Sequence, residues 1–294
     1  MTRGAERLYV RLDEDTTHGP ESGTPAGSLR AVAVAPALRP QLATLMCCRE
    51  TIAPGTLVQE RVLPDGAVRL VFNVGDTPSS NGRSAPALAA IGASAAPALV
   101  QLRGTVHGFS AVLRPGAAAA LLGLPAGELA QTVVPLDALW GAAARRLQER
   151  LAEAPDDIRR AALLQTMLLE RLQRARPAAP AAAAAAHAWR LIHATAGRRP
   201  LSEVAAAVGL GERRLQQLFR TEIGLTPRTT SRLARLQGLL RRLREPRRPA
   251  WAELALDAGF ADQSHLANEF RALAGLTPTQ FLDGAVSGSS KTGR

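Results

Sequence analysis

Two stretches of this 294-residue chain carry side chains suited to reading the edge of a nucleobase. "ERRLQQLFRTEIGLTP" runs from Glu212 to Pro227, and "DQSHLANEFRALAGLTP" from Asp262 to Pro278. In the first, Leu215, Leu218, Phe219 and Ile223 recur at helical spacing. At about 100° per residue, Arg213, Gln217 and Arg220 fall opposite them, with Gln216 and Arg214 on the flanks. In the second, Leu266, Phe270 and Leu273 form the apolar stripe. Ser264, Asn268 and Arg271 lie opposite, flanked by Gln263, His265 and Ala267. A Gln or Asn amide donates and accepts at once, so it can hold one base edge at two points, and Arg can do the same. A polar face also occurs on any solvated surface helix, so one copy alone decides little. Two copies in matched register decide more.

The elements that position these side chains are also doubled. "LSEVAAAVGL" (Leu201 to Leu210) matches "WAELALDAGF" (Trp251 to Phe260), with Glu203 on Glu253, Ala205 on Ala255 and Gly209 on Gly259. One extra residue in the second turn then shifts the register, placing Leu215 on Leu266, Phe219 on Phe270 and Pro227 on Pro278. Each copy reads as a helix, a turn with Gly and a second helix. The small residues Ala205 and Gly209, like Ala255 and Gly259, are expected to let the two helices cross closely. This is the helix-turn-helix plan, whose second helix enters a major groove. Between the copies, "TPRTTSRLARLQGLLRRLRE" reads as an amphipathic helix with Leu233, Leu236, Leu240 and Leu243 on one side. Its length of roughly 27 Å approaches the ~34 Å of one duplex turn, so both second helices could meet successive grooves on one face.

Charge agrees with a polyanionic partner. The chain carries a net +11, and +8 of it lies between His187 and Arg294. Lys291 is the only lysine, so the Arg bias reflects composition as well, and the location of the charge is the stronger observation.

"GLGERRLQQLFRTEIGLTP" and "LALDAGFADQSHLANEFRALAGLTPTQF" resemble the AraC/XylS family of bacterial transcription regulators. The resemblance covers about His187 to Leu282. It implies a seven-helix domain with two helix-turn-helix units joined by a long helix. It implies base contacts from Arg213, Gln216 and Gln217 and from Gln263, Ser264, His265 and Asn268. Arg220 and Arg271, one turn further along, are expected to meet phosphates. The chain departs from the family pattern at Ala267, where a longer side chain often sits, and in the proline-rich "PRRPAW" between the units.

The front of the chain reads differently. "RVLPDGAVRLVFNVGD" has a Pro-Asp-Gly turn followed by Val68, Leu70 and Phe72 in period 2, and three further short apolar runs follow before Arg114. Short strands at close spacing predict a β-sandwich or barrel. Gly116 to Arg176 is expected to be helical. Its last helix should start at Asp156–Asp157 and pack through Ile158, Ala162, Leu163, Thr166, Leu169 and Leu172. "RVLPDGAVRLVFNVGD", "LRPGAAAALLGLPAGEL" and "VPLDALWG" are similar to a less characterised N-terminal domain found in one branch of the same family. The expected fold is therefore multidomain α+β: an N-terminal β-sandwich or barrel with following helices, then an all-α double helix-turn-helix. The expected divisions are a flexible tail at 1–28, a sensor or dimerisation domain at 29–176, a linker at 177–186, the DNA-binding domain at 187–284 and a second tail at 285–294.

Other groups that could do chemistry are few. Cys47 and Cys48 are adjacent and point to opposite faces of a strand, whereas a metal site needs about four ligands at suitable spacing. They read as small buried residues, with redox sensing as the alternative. His107 reads as a strand histidine with a satisfied hydrogen bond. Asp65 reads as a turn residue, with a contact at a pocket mouth as the alternative. With no His-x-His pair, neither a metal site nor a cofactor is expected, and no enzymatic activity. Hydrophobic content of 46%, the lack of a long apolar run and the lack of an apolar leader imply a soluble cytoplasmic protein without a membrane partner. Its expected partners are double-stranded DNA, a small-molecule effector, a second copy in a homodimer, and RNA polymerase if it activates. The alternatives are a constitutive, ligand-free DNA-binding regulator, or an enzyme with an appended DNA-binding domain.

Overall fold

A computed structural model describes residues 2–3, 6–12, 15, 17, 19, 22–175, 179–245 and 250–289. Among these residues, twelve strands form two six-stranded sheets. The first sheet holds β1 (Thr2–Arg3), β2 (Arg7–Tyr9), β5 (Thr56–Val62), β7 (Ser79–Ser80), β8 (Arg83–Ser84) and β10 (Ala98–Leu102). The second runs β12 (Val133–Pro135), β9 (Leu88–Ile91), β6 (Arg69–Asn73), β11 (Thr105–Leu113), β4 (Leu42–Thr51), β3 (Leu29–Ala31). Expected and observed architecture agree on a sandwich followed by helices.

The second sheet is apolar on both faces. Register places Phe72, Phe109 and Cys47 side by side on one face, and Val71, Ser110 and Met46 on the other. The first face, with Leu45, Leu70 and Ala111, joins a core shared with the helices. Those helices are α1 (Ala118–Leu122), α2 (Leu136–Trp140), α3 (Ala142–Glu153) and α4 (Asp157–Arg174). Asp156 caps α4, its side chain accepting the Arg159 N–H, and Arg171 and Arg174 close its last turn. The packing face of α4 differs from expectation. Ala161, Leu164, Met167 and Leu168 are buried, while Ile158 is 84% exposed. Of the expected face, Leu163, Leu169 and Leu172 are half-buried against the same core, while Ala162 and Thr166 are exposed like Ile158.

The N-terminal segment is not a tail throughout. β2 pairs in parallel with β5, and Leu8, Val10 and Leu12 are buried. Arg7 bonds Glu50 and Glu60 at 2.7 Å each. Asp15 bonds Arg244 at 2.7 Å, across to the C-terminal domain. His18 lies outside the described residues.

Seven helices follow: α5 (Pro180–Ala194), α6 (Leu201–Ala207), α7 (Glu212–Glu222), α8 (Pro227–Leu243), α9 (Trp251–Asp257), α10 (Gln263–Ala274) and α11 (Pro278–Ser289). α5 begins at Pro180, so most of the expected 177–186 linker is helix, with Ala182 and Ala185 buried. The backbone of α11 continues to Ser289, past the expected start of the second tail at 285. Residues 176–178, 246–249 and 290–294 lie outside the described residues, including the prolines of "PRRPAW".

The two domains dock closely. Gln237 on α8 donates to the Pro64 carbonyl at 3.3 Å in a buried setting. A 3-10 turn, Ala126–Leu129, lies against the end of α7, where a Cβ on Gly127 would stand 2.3 Å from the Arg220 carbonyl oxygen. Only glycine permits that approach.

Two outcomes test this arrangement. Leu12→Ala in the full chain should lower the unfolding free energy by about 2–5 kcal/mol in a denaturant titration, as buried leucines do; a change under about 0.5 kcal/mol would mean residues 7–12 are a tail after all. Gly127→Ala should destabilise by about 1–3 kcal/mol through overpacking, and an unchanged midpoint would mean the turn does not dock on α7.

Candidate nucleic-acid interface and effector cavity

The doubled unit of the sequence becomes doubled geometry. α6 and α9 start fifty residues apart, at Leu201 and Trp251, and α7 and α10 fifty-one apart, at Glu212 and Gln263. Each pair meets through a small residue, with Ala205 and Ala255 buried. Gly209 plays a different part from the close crossing expected of it. Its φ is +69° and nothing lies near its missing Cβ, so the turn needs glycine for its left-handed backbone. Asp262 caps α10 by accepting the His265 N–H at 2.7 Å, and Thr226 caps α8 by accepting the Thr229 N–H at 3.1 Å.

Leu215, Leu218 and Phe219 on α7, and Leu266, Phe270 and Leu273 on α10, are buried. On the other side Arg213, Gln216, Gln217 and Arg220 are exposed, as are Gln263, Ser264, Asn268 and Arg271. The Arg214 guanidinium donates to the Gln217 amide oxygen at 3.2 Å, a bond between exposed groups that binding can exchange. His265 is placed differently from its neighbours. It is half-buried, its Nδ1 accepts the Ala261 N–H at 3.2 Å, and its ring meets Phe260 edge-on at 5.5 Å. It fastens the turn before α10. Ala267 is half-buried.

α8 packs on α7 of the first unit and is tied by side chains to the second. Arg232 bonds Glu269 at 2.6 Å and Arg242 bonds Asp257 at 2.8 Å, while the Arg235 guanidinium lies over the Phe260 ring at 5.9 Å. Its 17 residues span roughly 26 Å, which sets the scale of the separation between α7 and α10.

Two further features lie in the N-terminal domain. Between its sheets is a cavity of about 600 Å3, walled by the second face of the β4–β11–β6–β9 sheet and by β5 and β10. A smaller one of about 210 Å3 lies where the domains meet, lined by Asp65, Trp189, His193, Glu222 and Arg241 among others. Asp65 there accepts the Ala67 N–H at 3.0 Å and pairs with Arg69, so it is both a turn residue and part of a cavity wall. Sequence reading missed the larger cavity, because the walls come from strands far apart in the chain.

Cys47, His107 and Asp157 form a cluster, with one ligand atom of each within 4.8 Å of the others. His107 Nε2 lies 2.8 Å from Asp157, which satisfies this strand histidine. Arg30, Arg49 and Arg160 also reach Asp157. Burial opposes the charge on Asp157, but the hydrogen bond and charge of His107, and then Arg49, outweigh it and hold the carboxyl below its usual range. Burial, then Asp157, pushes the Cys47 thiol up to about 11, so it stays protonated and unreactive at neutral pH. Three guanidiniums already supply the positive charge that a cation would bring. The cluster fastens the start of α4 to β4 and β11. No helix among the described residues is long and apolar enough to cross a membrane.

Comparison with known proteins agrees with this geometry. The family model described as a helix-turn-helix domain matches residues 204–284, and that of a domain of unknown function, DUF6597, matches residues 32–135. No curated protein matches the chain. Solved structures that are similar include an apo point variant of ToxT from Vibrio cholerae strain SCE256, at 9% identity over 82% of this chain and 97% of that one, with a TM-score of 0.44. ToxT from Vibrio cholerae O395 is similar at 8% identity over 82% and 98%, with a TM-score of 0.44. ToxT of strain SCE256 bound to an unsaturated fatty acid is similar at 8% identity over 81% and 94%, with a TM-score of 0.43. The chain thus carries a helix-turn-helix domain behind an N-terminal domain of unknown function, in the order that its resemblance to AraC-type regulators implied.

Proposed function

We propose that the protein reads a specific duplex site with α7 and α10 in successive major grooves, and that its N-terminal domain senses a small molecule. The observation that carries the first part is the matched exposure of amide and guanidinium side chains on two helices that α8 joins. Arg213, Gln216 and Gln217 face bases from α7, and Gln263, Ser264 and Asn268 from α10. His265 positions the second unit. Arg220 and Arg271 sit one turn further along and meet phosphates.

The cavity supports sensing over a constitutive binder. Ala89 and Ile91 of β9 line it, and Gly92 follows directly, passing so close to the Leu129 carbonyl that no Cβ would fit. Leu129 ends the 3-10 turn that docks on α7. A ligand that shifts β9 therefore acts on the first reading helix through two contacts. No catalytic role is assigned, since the buried thiol cluster is neutralised within the protein. The protein works in the cytoplasm on double-stranded DNA, as a homodimer if the exposed start of α4 around Ile158 pairs two copies, and with RNA polymerase if it activates.

Base reading and phosphate binding separate in a salt titration. Asn268→Ala or Gln217→Ala should cost about 1–3 kcal/mol on the specific duplex and little on random DNA. Arg220→Ala or Arg271→Ala should weaken both duplexes alike and reduce the salt slope by about one ion each. If Asn268→Ala and Arg271→Ala lose affinity in the same sequence-independent way, α10 does not read bases and serves as an electrostatic clamp.

A further inference from the structure

The cavity between the two sheets has a definite chemistry. At about 600 Å3 it falls within the range of roughly 300–1,000 Å3 that holds drug-sized molecules. Its walls are largely apolar, with Met46, Val62, Val71, Ala89, Ile91 and Val100 among them. Water fills such a space poorly, because each molecule needs two to four polar partners. Most polar groups on the walls are already engaged. Asn73 donates to the Pro86 carbonyl at 3.2 Å, and Ser80 to the Leu99 carbonyl at 2.9 Å. A sugar, which needs a polar partner at nearly every carbon, meets too few.

The charged groups on the walls are neutralised from within. Arg7 faces two carboxylates, Glu50 and Glu60, at 2.7 Å each, with side chains of all three at 11% exposure or less. An anion beside this trio would find the guanidinium already shared between two carboxylates. Arg69 pairs with Asp65. Cys48 also faces the space, and burial, then Glu60 and Glu50, pushes its thiol up to about 12, so it adds no charge at neutral pH. Arg83 lies on the exposed β7–β8 hairpin at the rim, where its charge stays in water.

From this balance we infer that the cavity binds an uncharged, predominantly apolar small molecule, with the Ser110 hydroxyl facing the space from β11. The inference rests on the sensing role proposed above and names the class of effector. It excludes carboxylates and sugars as the ligands that fit best.

Two fluorescent probes with a common skeleton test it on the full chain. Phenylnaphthylamine is neutral, and anilinonaphthalenesulfonate adds one sulfonate to it. The neutral probe should bind with enhanced fluorescence, and the sulfonate at least about tenfold more weakly. Val100→Trp and Ser110→Phe fill the space from opposite sheets, and each should abolish binding of the neutral probe. Circular dichroism and DNA titration of the same preparations check that these variants fold. No binding of the neutral probe, or binding untouched in both folded variants, would overturn the site. Equal or tighter binding of the sulfonate, lost on Arg83→Ala, would show that the rim arginine recognises an anion and overturn the ligand class. If DNA binding alone fails, the regulator reading falls and the cavity assignment stands.

Discussion

The fold depends on one sheet that cannot be left bare on either side. β4, β11, β6 and β9 alternate, apart from a register shift between β4 and β11 at Val112–Leu113, yet both sets of side chains are mostly apolar. Leu45, Cys47, Leu70, Phe72, Phe109 and Ala111 need one cover, and Met46, Val71, Ala89 and Ile91 another. The helices satisfy the first requirement with a close-packed core. The first sheet meets the second requirement only in part: Ile52, Leu102 and Val106 pack at one end and a cavity remains elsewhere. Native interiors seldom leave space on that scale. The domain keeps its close-packed core on one side of this sheet and leaves space on the other.

The same sheet ties the cavity to the DNA-binding half. The core runs without a break from Phe72 and Leu70 to Leu215, Phe219 and Leu233. Several contacts along this route are made by backbone: Gly92 on Leu129 within the N-terminal domain, then Gly127 on Arg220 and Ala126 on Gly224 at the junction. Backbone contacts have little slack, so a displacement on one side has to be met on the other. The charged links, Asp15 with Arg244 and Arg61 with the Ala274 carbonyl, add orientation at the edge of the first sheet.

Much of the C-terminal half was legible in the sequence, because a helix-turn-helix is local. Apolar spacing, the Asp262 cap and the Gly-Leu-Thr-Pro ends fix each element within a few residues of the groups that act. The role of Gly209 was misjudged, since spacing does not distinguish a tight crossing from a left-handed turn. The N-terminal segment was legible and missed: Leu8, Val10 and Leu12 alternate in period 2 within an otherwise polar stretch. What sequence could not supply was Arg7's partners, 43 and 53 residues away, or the gap between sheets. The buried side of α4 was also ambiguous, because the expected and the buried apolar residues lie side by side on the helix and only the neighbours choose between them.

The central claim is that two reading helices meet one face of a duplex. Duplexes selected by the full chain from a random pool can be footprinted with hydroxyl radicals. The account predicts sequence enrichment in two segments, with protected positions on one face and centres about 10 bp apart. A single protected segment, or protection without any enriched sequence, would contradict it.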